Sequence, residues 1–300
     1  MSRKTKQSLY YNLGGLLKLA LGILLIFPII YAAGLSFMDA AEITTPPPKV
    51  LPRSFGYLEN YITIFTKTKM LRFLLNSLLV SVFGTMGRLI TAVTASFAFC
   101  FYEFKGKNFL FYLILGSMMI PGDAIILTNY LTVSRMGIMN TFLGLVIIYL
   151  VHANYIFMMR QSMLSLPKSL HEAALIDGCS SLRFLISIVI PLSKPIITTI
   201  SLSSFVGLWN IYLWPLLITN AEEMRTVQVG ITMLNTAEQQ SYGPIMAASC
   251  VALLPAVVIF LISQRGRCGK RGITRWRKFF RSGRGYHRDF PLASHGRGQR

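Results

Sequence analysis

Between Lys194 and Glu222 the chain has 27 uncharged residues, and among them stand Trp209, Asn210, Tyr212 and Trp214. Arg88 is the one charge in a second apolar stretch, Phe73–Tyr102, and Asp123 is the one charge in a third, Asn108–Leu131. Ionisable and amide groups in such surroundings need polar partners or a water-filled cavity, which makes them candidates for a pathway lining. A different chemistry sits between Arg160 and Lys194, where Glu172 and Asp177 bracket Ala173 and Ala174 and are followed by Gly178. Two carboxylates beside small residues offer charge and close approach to a basic partner. Catalysis has little to work with. The phosphate-binding pattern GxxxxGK followed by Ser or Thr is absent, as are HExxH and GxSxG, so the chain has no visible means of hydrolysing ATP itself. Cys100, Cys179, Cys250 and Cys268 form no CxxC and no Cys/His cluster. They read as small apolar or incidental residues, and no metal or cofactor is expected.

Composition sets the elements that must position these groups. The 300 residues are 53% hydrophobic and 14% charged, with a mean hydropathy of +0.53. In soluble domains about a quarter of residues are charged. The formal net charge of +19 points to a membrane or to nucleic acid, and its location decides between them. Arg265–Arg300 holds twelve of the 30 Lys and Arg and one of the 11 acids, so these 36 residues carry +11 and the other 264 carry +8. The body is an apolar object with few charges. Disorder, a disulfide-rich secreted fold and a basic nucleic-acid-binding domain all fit it poorly.

A membrane-spanning helix needs about 20 mostly apolar residues. Uncharged runs of 20 residues after Lys18, 24 after Arg135, 27 after Lys194 and 26 after Glu238 qualify, and the two interrupted stretches make six. The spacing predicts spans at roughly 17–37, 75–102, 108–130, 138–159, 193–219 and 243–263. Arg3, Lys4 and Lys6 precede the first span as in a signal peptide, but its apolar run is longer and more spans follow. It is read as an uncleaved helix. Pro28, Pro121, Pro215 and Pro255 are placed to kink spans, and His152 reads as a hydrogen-bonded helix contact.

Lys and Arg in the short links set the orientation. The N-terminus carries three, the link Glu103–Lys107 two, and the link between spans four and five carries Arg160, Lys168 and Arg183. The link between spans five and six holds Glu222, Glu223 and Glu238 against Arg225 alone. Residues 1–16 are thus a cytoplasmic N-terminus, 17–264 the six-span domain, and 265–300 a cytoplasmic basic tail expected to be disordered.

The link from Arg160 to Lys194 is long for a bundle of this kind, and its pattern is ordered. Pro167 suits a first helical turn, and Ser169-Leu-His-Glu172 has the spacing of a capping box. Ala173, Ala174, Leu175 and Ile176 continue the helix, and Asp177-Gly178 breaks it, since Gly takes the left-handed conformation at a helix end. Ser180 or Ser181 caps a second short helix, and Pro191 and Pro195 break or kink the start of span five. A helix, a sharp turn and a second helix are predicted over about 161–192, projecting on the cytoplasmic side.

Glu172-Ala173-Ala174, three residues, Gly178, nine residues, then Ile188-Val-Ile190-Pro191 resembles the EAA motif of binding-protein-dependent ABC importer permeases. Ile190 stands where the usual form has Leu. Phe205-Val-Gly-Leu-Trp209-Asn-Ile-Tyr-Leu-Trp214-Pro-Leu216 is similar to the F-x-x-x-W-N-x-(F/Y)-L-W-P-L run of the carbohydrate-uptake branch, maltose-type and glycerol-phosphate-type. Arg225–Gly230, Met246–Ser249, Leu254-Pro255, Asn76-Ser77 and Phe104–Lys107 also look like that branch. The likeness covers roughly residues 10–265.

The resemblance implies an all-α integral membrane protein of the type I importer permease fold, with six transmembrane helices and a cytoplasmic coupling-helix loop. It implies one half of a pathway for a sugar or sugar-phosphate in a bacterial cytoplasmic (inner) membrane. The partners implied are a dimer of ABC ATPase subunits, a second related permease, an extracytoplasmic solute-binding protein and the lipid bilayer. The chain would be a transport subunit, not an enzyme. By the same resemblance Glu172, Ala173, Ala174, Asp177, Gly178 and Pro191 belong to the loop that docks on the ATPase. Trp209, Asn210, Tyr212, Trp214 and Arg88 are the pathway candidates, because aromatic faces stack on sugar rings and amides bond hydroxyls. Interface anchoring of the aromatics and structural ion or carbonyl pairing of Arg88 are the alternatives. A permease of the same architecture for another solute stays open. An ion-coupled secondary transporter would need paired acids at membrane depth, and only Asp123 is offered. The tail falls outside the likeness. It reads either as a segment drawn to anionic lipid or as an unselected end, and its charge is no argument for nucleic acid.

Overall fold

In hydrocarbon, backbone amides and carbonyls must pair within their own segment, so apolar runs of this length fold as helices. The computed structural model describes residues 3–47, 49–236 and 242–267, and the regular elements among them are all helical. In chain order they are α1 (Arg3–Leu35), α2 (Ala40–Thr44), α3 (Glu59–Thr66), α4 (Met70–Phe101), α5 (Lys107–Ser117), α6 (Ile126–Arg135), α7 (Phe142–Val146) and α8 (Ala153–Leu164). There follow α9 (Lys168–Ile176), α10 (Ser181–Phe184), α11 (Ile190–Leu192), α12 (Lys194–Trp209), α13 (Leu213–Ile218), α14 (Val227–Thr236) and α15 (Tyr242–Arg267). The chain divides into two units, Met1–Ile259 and Phe260–Arg300. The basic tail anticipated at 265–300 lies outside the described residues from 268 onward.

Three helices are long and apolar enough to cross a membrane unbroken, over Gly14–Leu35, Met70–Phe101 and Tyr242–Leu261. Pro28 and Pro255 are accommodated inside the first and last of them. Three further segments are bent pairs: Lys107–Ser117 with Gly122–Arg135 at 93°, Phe142–Tyr149 with Ala153–Leu164 at 51°, and Ser181–Leu192 with Lys194–Trp209 at 79°. Counting each pair as one span gives up to six by length and composition. Charge-free runs mark where a span lies but not whether its helix is continuous. Pro121, which has no amide hydrogen, stands at the first bend. The stretch 193–219, expected as one span, is α12 and α13 separated at Asn210 to Tyr212. There Asn210 turns its side-chain amide back to the Val206 carbonyl at 3.0 Å, which caps α12.

The interior is organised along α4. Its last turns (Ala92, Val93, Phe97) pack with Ile156, Met159, Ala174, Phe184, Val189 and Ile200. Its first turns (Met70, Phe73) pack with Ile64, Phe205, Trp209, Val227, Ala247 and Ala248. Val80, between them, joins Val133, Leu145, Trp214 and Ile218. The apolar window of α1 buries none of its residues inside the chain, as expected of a helix that faces lipid or another subunit.

A broken helix leaves carbonyls without intrahelical donors, and side chains of α4 supply them. At the break before α8, Arg88 Nε donates to the Tyr149 carbonyl at 2.8 Å and Thr91 Oγ1 to the Leu150 carbonyl at 2.8 Å. Farther along, Ser96 Oγ donates to the Ile156 carbonyl at 2.7 Å. Such bonds contribute about 0.6–2 kcal/mol each between membrane helices.

Candidate functional site

The loop between the broken fourth and fifth segments folds as a helix, a turn and a helix. Pro167 is the N-cap of α9, at φ −59° and ψ 131°, and no side chain caps that end. The capping box expected from Ser169 and Glu172 is therefore not formed. Pro167, two residues before Ser169, is the N-cap, and Ser169 falls inside the helix. At the other end Gly178 has φ +69°, the left-handed region expected of it. Its amide donates to the Leu175 carbonyl at 3.0 Å, and the Cys179 amide donates to the Ala174 carbonyl at 2.9 Å. These two bonds are the Schellman closure of a helix C-terminus. Ser180 then caps α10, its hydroxyl accepting from the Arg183 amide at 3.4 Å. A π turn follows at Leu185–Val189, closed by the Ile190 amide on the Leu185 carbonyl, and Pro191 lies exposed in the first turn of α11.

The two faces of α9 differ. Ala174 is buried with Phe184, Leu185 and Val189. His171 lies between rings, 5.1 Å from Phe101 and 5.0 Å from Phe184, and so fixes α9 to the end of α4. Glu172, Ala173, Asp177 and Gly178 face outward. So do Leu175 and Ile176, which are 59% and 87% exposed. Of the six predicted loop residues, five thus share the outer surface and Ala174 belongs to the interior. In sequence, Leu175 and Ile176 read only as helix formers. The signal lay in four consecutive apolar residues on a nine-residue helix, which at 100° per residue cannot all face inward.

The pathway candidates are not gathered on one surface. Trp209 is buried, stacks on Phe205 at 5.8 Å and donates from Nε1 to the Ala252 carbonyl at 3.1 Å. Trp214 is buried and donates to the Gly144 carbonyl at 3.2 Å. Asn210 and Tyr212 are exposed, and Asn210 Oδ1 accepts from Gln228 Nε2 at 3.2 Å. Arg88 is buried. Besides Tyr149 it reaches Ser204 Oγ at 3.3 Å, with its guanidinium 5.3 Å from the centre of the Tyr149 ring. The ring of His152 lies 4.5 Å from that of Tyr155.

At the opposite end of α4 from the loop, a second polar cluster ties the segment before α14 to the first turns of α4. Asn76 Nδ2 donates to the carbonyls of Glu223 at 2.6 Å and Arg225 at 2.9 Å, and Ser77 Oγ accepts from the Val227 amide at 2.8 Å. Lys69 pairs with Glu223 and, at 3.2 Å, with Glu222. The hydrogen bond to Glu223 raises the Lys69 ammonium above its ordinary range, and the same bond holds the Glu223 carboxyl below its own.

Among the described residues the regular elements are all helical, with three unbroken and three bent apolar segments long enough to span a membrane and a helix-turn-helix between two of the bent ones, the form of a multi-span membrane protein. The chain belongs to the family of binding-protein-dependent transport system inner membrane components, whose model matches residues 87–265. It is 32% identical to the sn-glycerol-3-phosphate transport system permease protein UgpE of Brucella abortus (strain 2308), over 85% of this chain and 93% of that protein. It is 31% identical to the protein of that name from Rhizobium meliloti (strain 1021), over 85% and 93%. Among solved structures, a chain of a bacterial ABC transporter involved in the import of the acidic polysaccharide alginate matches with a TM-score of 0.76. That match has 23% identity, covers 88% of this chain and 98% of that one, and shows the shared fold. The protein is thus a permease component of an ABC importer, a transport subunit of the inner membrane rather than an enzyme.

Proposed function

We propose that this chain forms one half of the pathway by which a sugar or sugar-phosphate enters the cell, and that α9 is the element through which a separate ATPase drives it. The exposed pair Leu175 and Ile176, beside Glu172 and Asp177 on a helix closed at Gly178, carries the reading. Two adjacent exposed apolar side chains at the tip of a turn, rimmed by carboxylates, have the form of a patch that a partner covers. The seat of α9 on Phe101 and Phe184 then offers a rigid route from the partner to the end of α4. A docked partner shifts the membrane segments only if it contacts α9 differently in its two states, as an ATPase does before and after closure.

The solute class is supported by the relatives' name and by the Phe205-to-Leu216 run. Of that run Asn210 and Tyr212 have the exposed amide and ring suited to a hydroxylated solute. A second related permease, an ATPase pair and an extracytoplasmic solute-binding protein complete the assembly. Both termini and α9 lie on the cytoplasmic side, in keeping with Lys and Arg in the links. The test is uptake of labelled sn-glycerol-3-phosphate and a panel of sugars with and without this subunit, together with Gly178→Pro and Glu172→Lys. Uptake of one carbohydrate that both substitutions abolish is expected. Full uptake and normal solute-stimulated ATPase in both variants would exclude docking through α9.

A further inference from the structure

On the same side as α9, between the end of α4, the start of α5 and the end of α8, lies a pocket of about 550 Å³. Its charged lining is mostly cationic: Lys107, Arg160 and Lys168, against the single acid Glu103. Lys107 is bonded to Glu103 at 3.0 Å and to the Tyr102 carbonyl at 2.9 Å, so its charge is partly answered. Arg160 is not. Its guanidinium lies 4.0 Å from the centre of the Phe111 ring, its Nε is buried without a hydrogen-bond partner, and it forms no ion pair among the described residues. Lys168 likewise has no ion pair among the described residues. A buried guanidinium edge beside a second free cation is a site for an anion with several acceptor oxygens.

The remaining walls say which anion. Phe104, Phe109 and Leu164 line the same pocket and are exposed, and the apolar side chains of α5 continue outward through Leu110 and Leu113. A soluble phosphate has no use for this wall, whereas acyl chains do. We infer that the pocket holds the phosphate headgroup of an anionic phospholipid, bound by Arg160 and Lys168, with its chains laid along α5. A basic pocket between spans at the cytoplasmic face, continuous with an apolar helix surface, is the general form of such a site.

The full chain is purified and reconstituted in phosphatidylcholine with and without phosphatidylglycerol, and retained lipid is read by native mass spectrometry. Wild type is expected to keep phosphatidylglycerol over phosphatidylcholine. Lys168→Gln, at an exposed position, and Arg160→Gln should each lower that preference about fivefold. Equal retention of the two lipids, or an unchanged preference in the double variant, would overturn the inference. Binding of inorganic phosphate without lipid, with release of phosphatidylglycerol by phosphate, would assign the site to a soluble anion and overturn it too. The readout is lipid retention, so it stands or falls apart from docking through α9.

Discussion

The amide of Cys179 donates to the carbonyl of Ala174 at 2.9 Å, across the left-handed turn at Gly178. This bond closes α9 and turns its buried residue, Ala174, inward while Leu175 and Ile176 stay outside. A Cβ on Gly178 would meet nothing within 4 Å, so substitution there costs backbone conformation alone. For an L-residue in this region the cost is about 1–2 kcal/mol, and Asn tolerates it best. Gly178→Asn should retain most solute-stimulated ATPase, Gly178→Ala less, and Gly178→Pro none, since Pro also removes the amide bonded to Leu175. Equal activity across the series would show that the turn is not what holds the helix.

Ile176→Ser and Leu175→Ser should leave folding almost untouched, because both side chains are exposed. Thermal stability should change by about 0.5 kcal/mol at most. Covering an isoleucine side chain is worth about 1.5–3 kcal/mol. Affinity for the ATPase subunit, measured by co-purification titration, should therefore fall tenfold or more for Ile176→Ser.

Arg88→Leu removes the donor to the Tyr149 carbonyl and to Ser204. Leaving the partly buried Tyr149 carbonyl at the break before α8 without a partner costs about 1 kcal/mol or more. A lower unfolding temperature in detergent is expected. A variant as stable as the parent would show that another donor takes over the carbonyl.

At Gly144 a Cβ would land on the Ile138 backbone carbonyl, which cannot swing aside as a side chain can. Gly144→Ala should destabilise by about 1–3 kcal/mol or more. Trp214→Phe, which loses the bond from Nε1 to the Gly144 carbonyl and also shrinks a fully buried side chain, should cost about 1–3 kcal/mol. Thermal unfolding of the two purified variants ranks them.

The Lys69–Glu223 pair gives a pH prediction. The Glu223 carboxyl is depressed, so its contribution is present above the unfolded carboxyl range and is lost as pH falls through the folded value. The Lys69 ammonium is raised, so its contribution is present below the unfolded lysine value and is lost as pH rises through the folded one. Between these limits Lys69 should label slowly with an amine-specific reagent. Glu223→Gln should speed labelling in mildly alkaline buffer. Both groups are exposed, so high salt should narrow the difference.

The sequence by itself determined the medium and the elements. Charge-free runs of 20 to 27 residues leave no alternative to helices in a bilayer, since nothing else there satisfies the backbone. It also determined the helix-turn-helix between Pro167 and Phe184, because Pro, Gly and Ser restrict the backbone locally and need no distant partner. The helix start was not legible in this way, because Pro167 and Ser169 are both credible N-caps and local preference does not separate positions two residues apart. Tertiary structure alone decided which faces are covered. Trp209 and Asn210 are neighbours in sequence, yet the first is buried against Phe205 and Ala252 while the second is exposed. In an apolar run every residue is compatible with lipid and with protein interior alike, so hydropathy carries no direction. Packing supplied it, and with it the breaks in the spans, the carbonyls that Arg88 and Thr91 capture, and the exposure of Ile176.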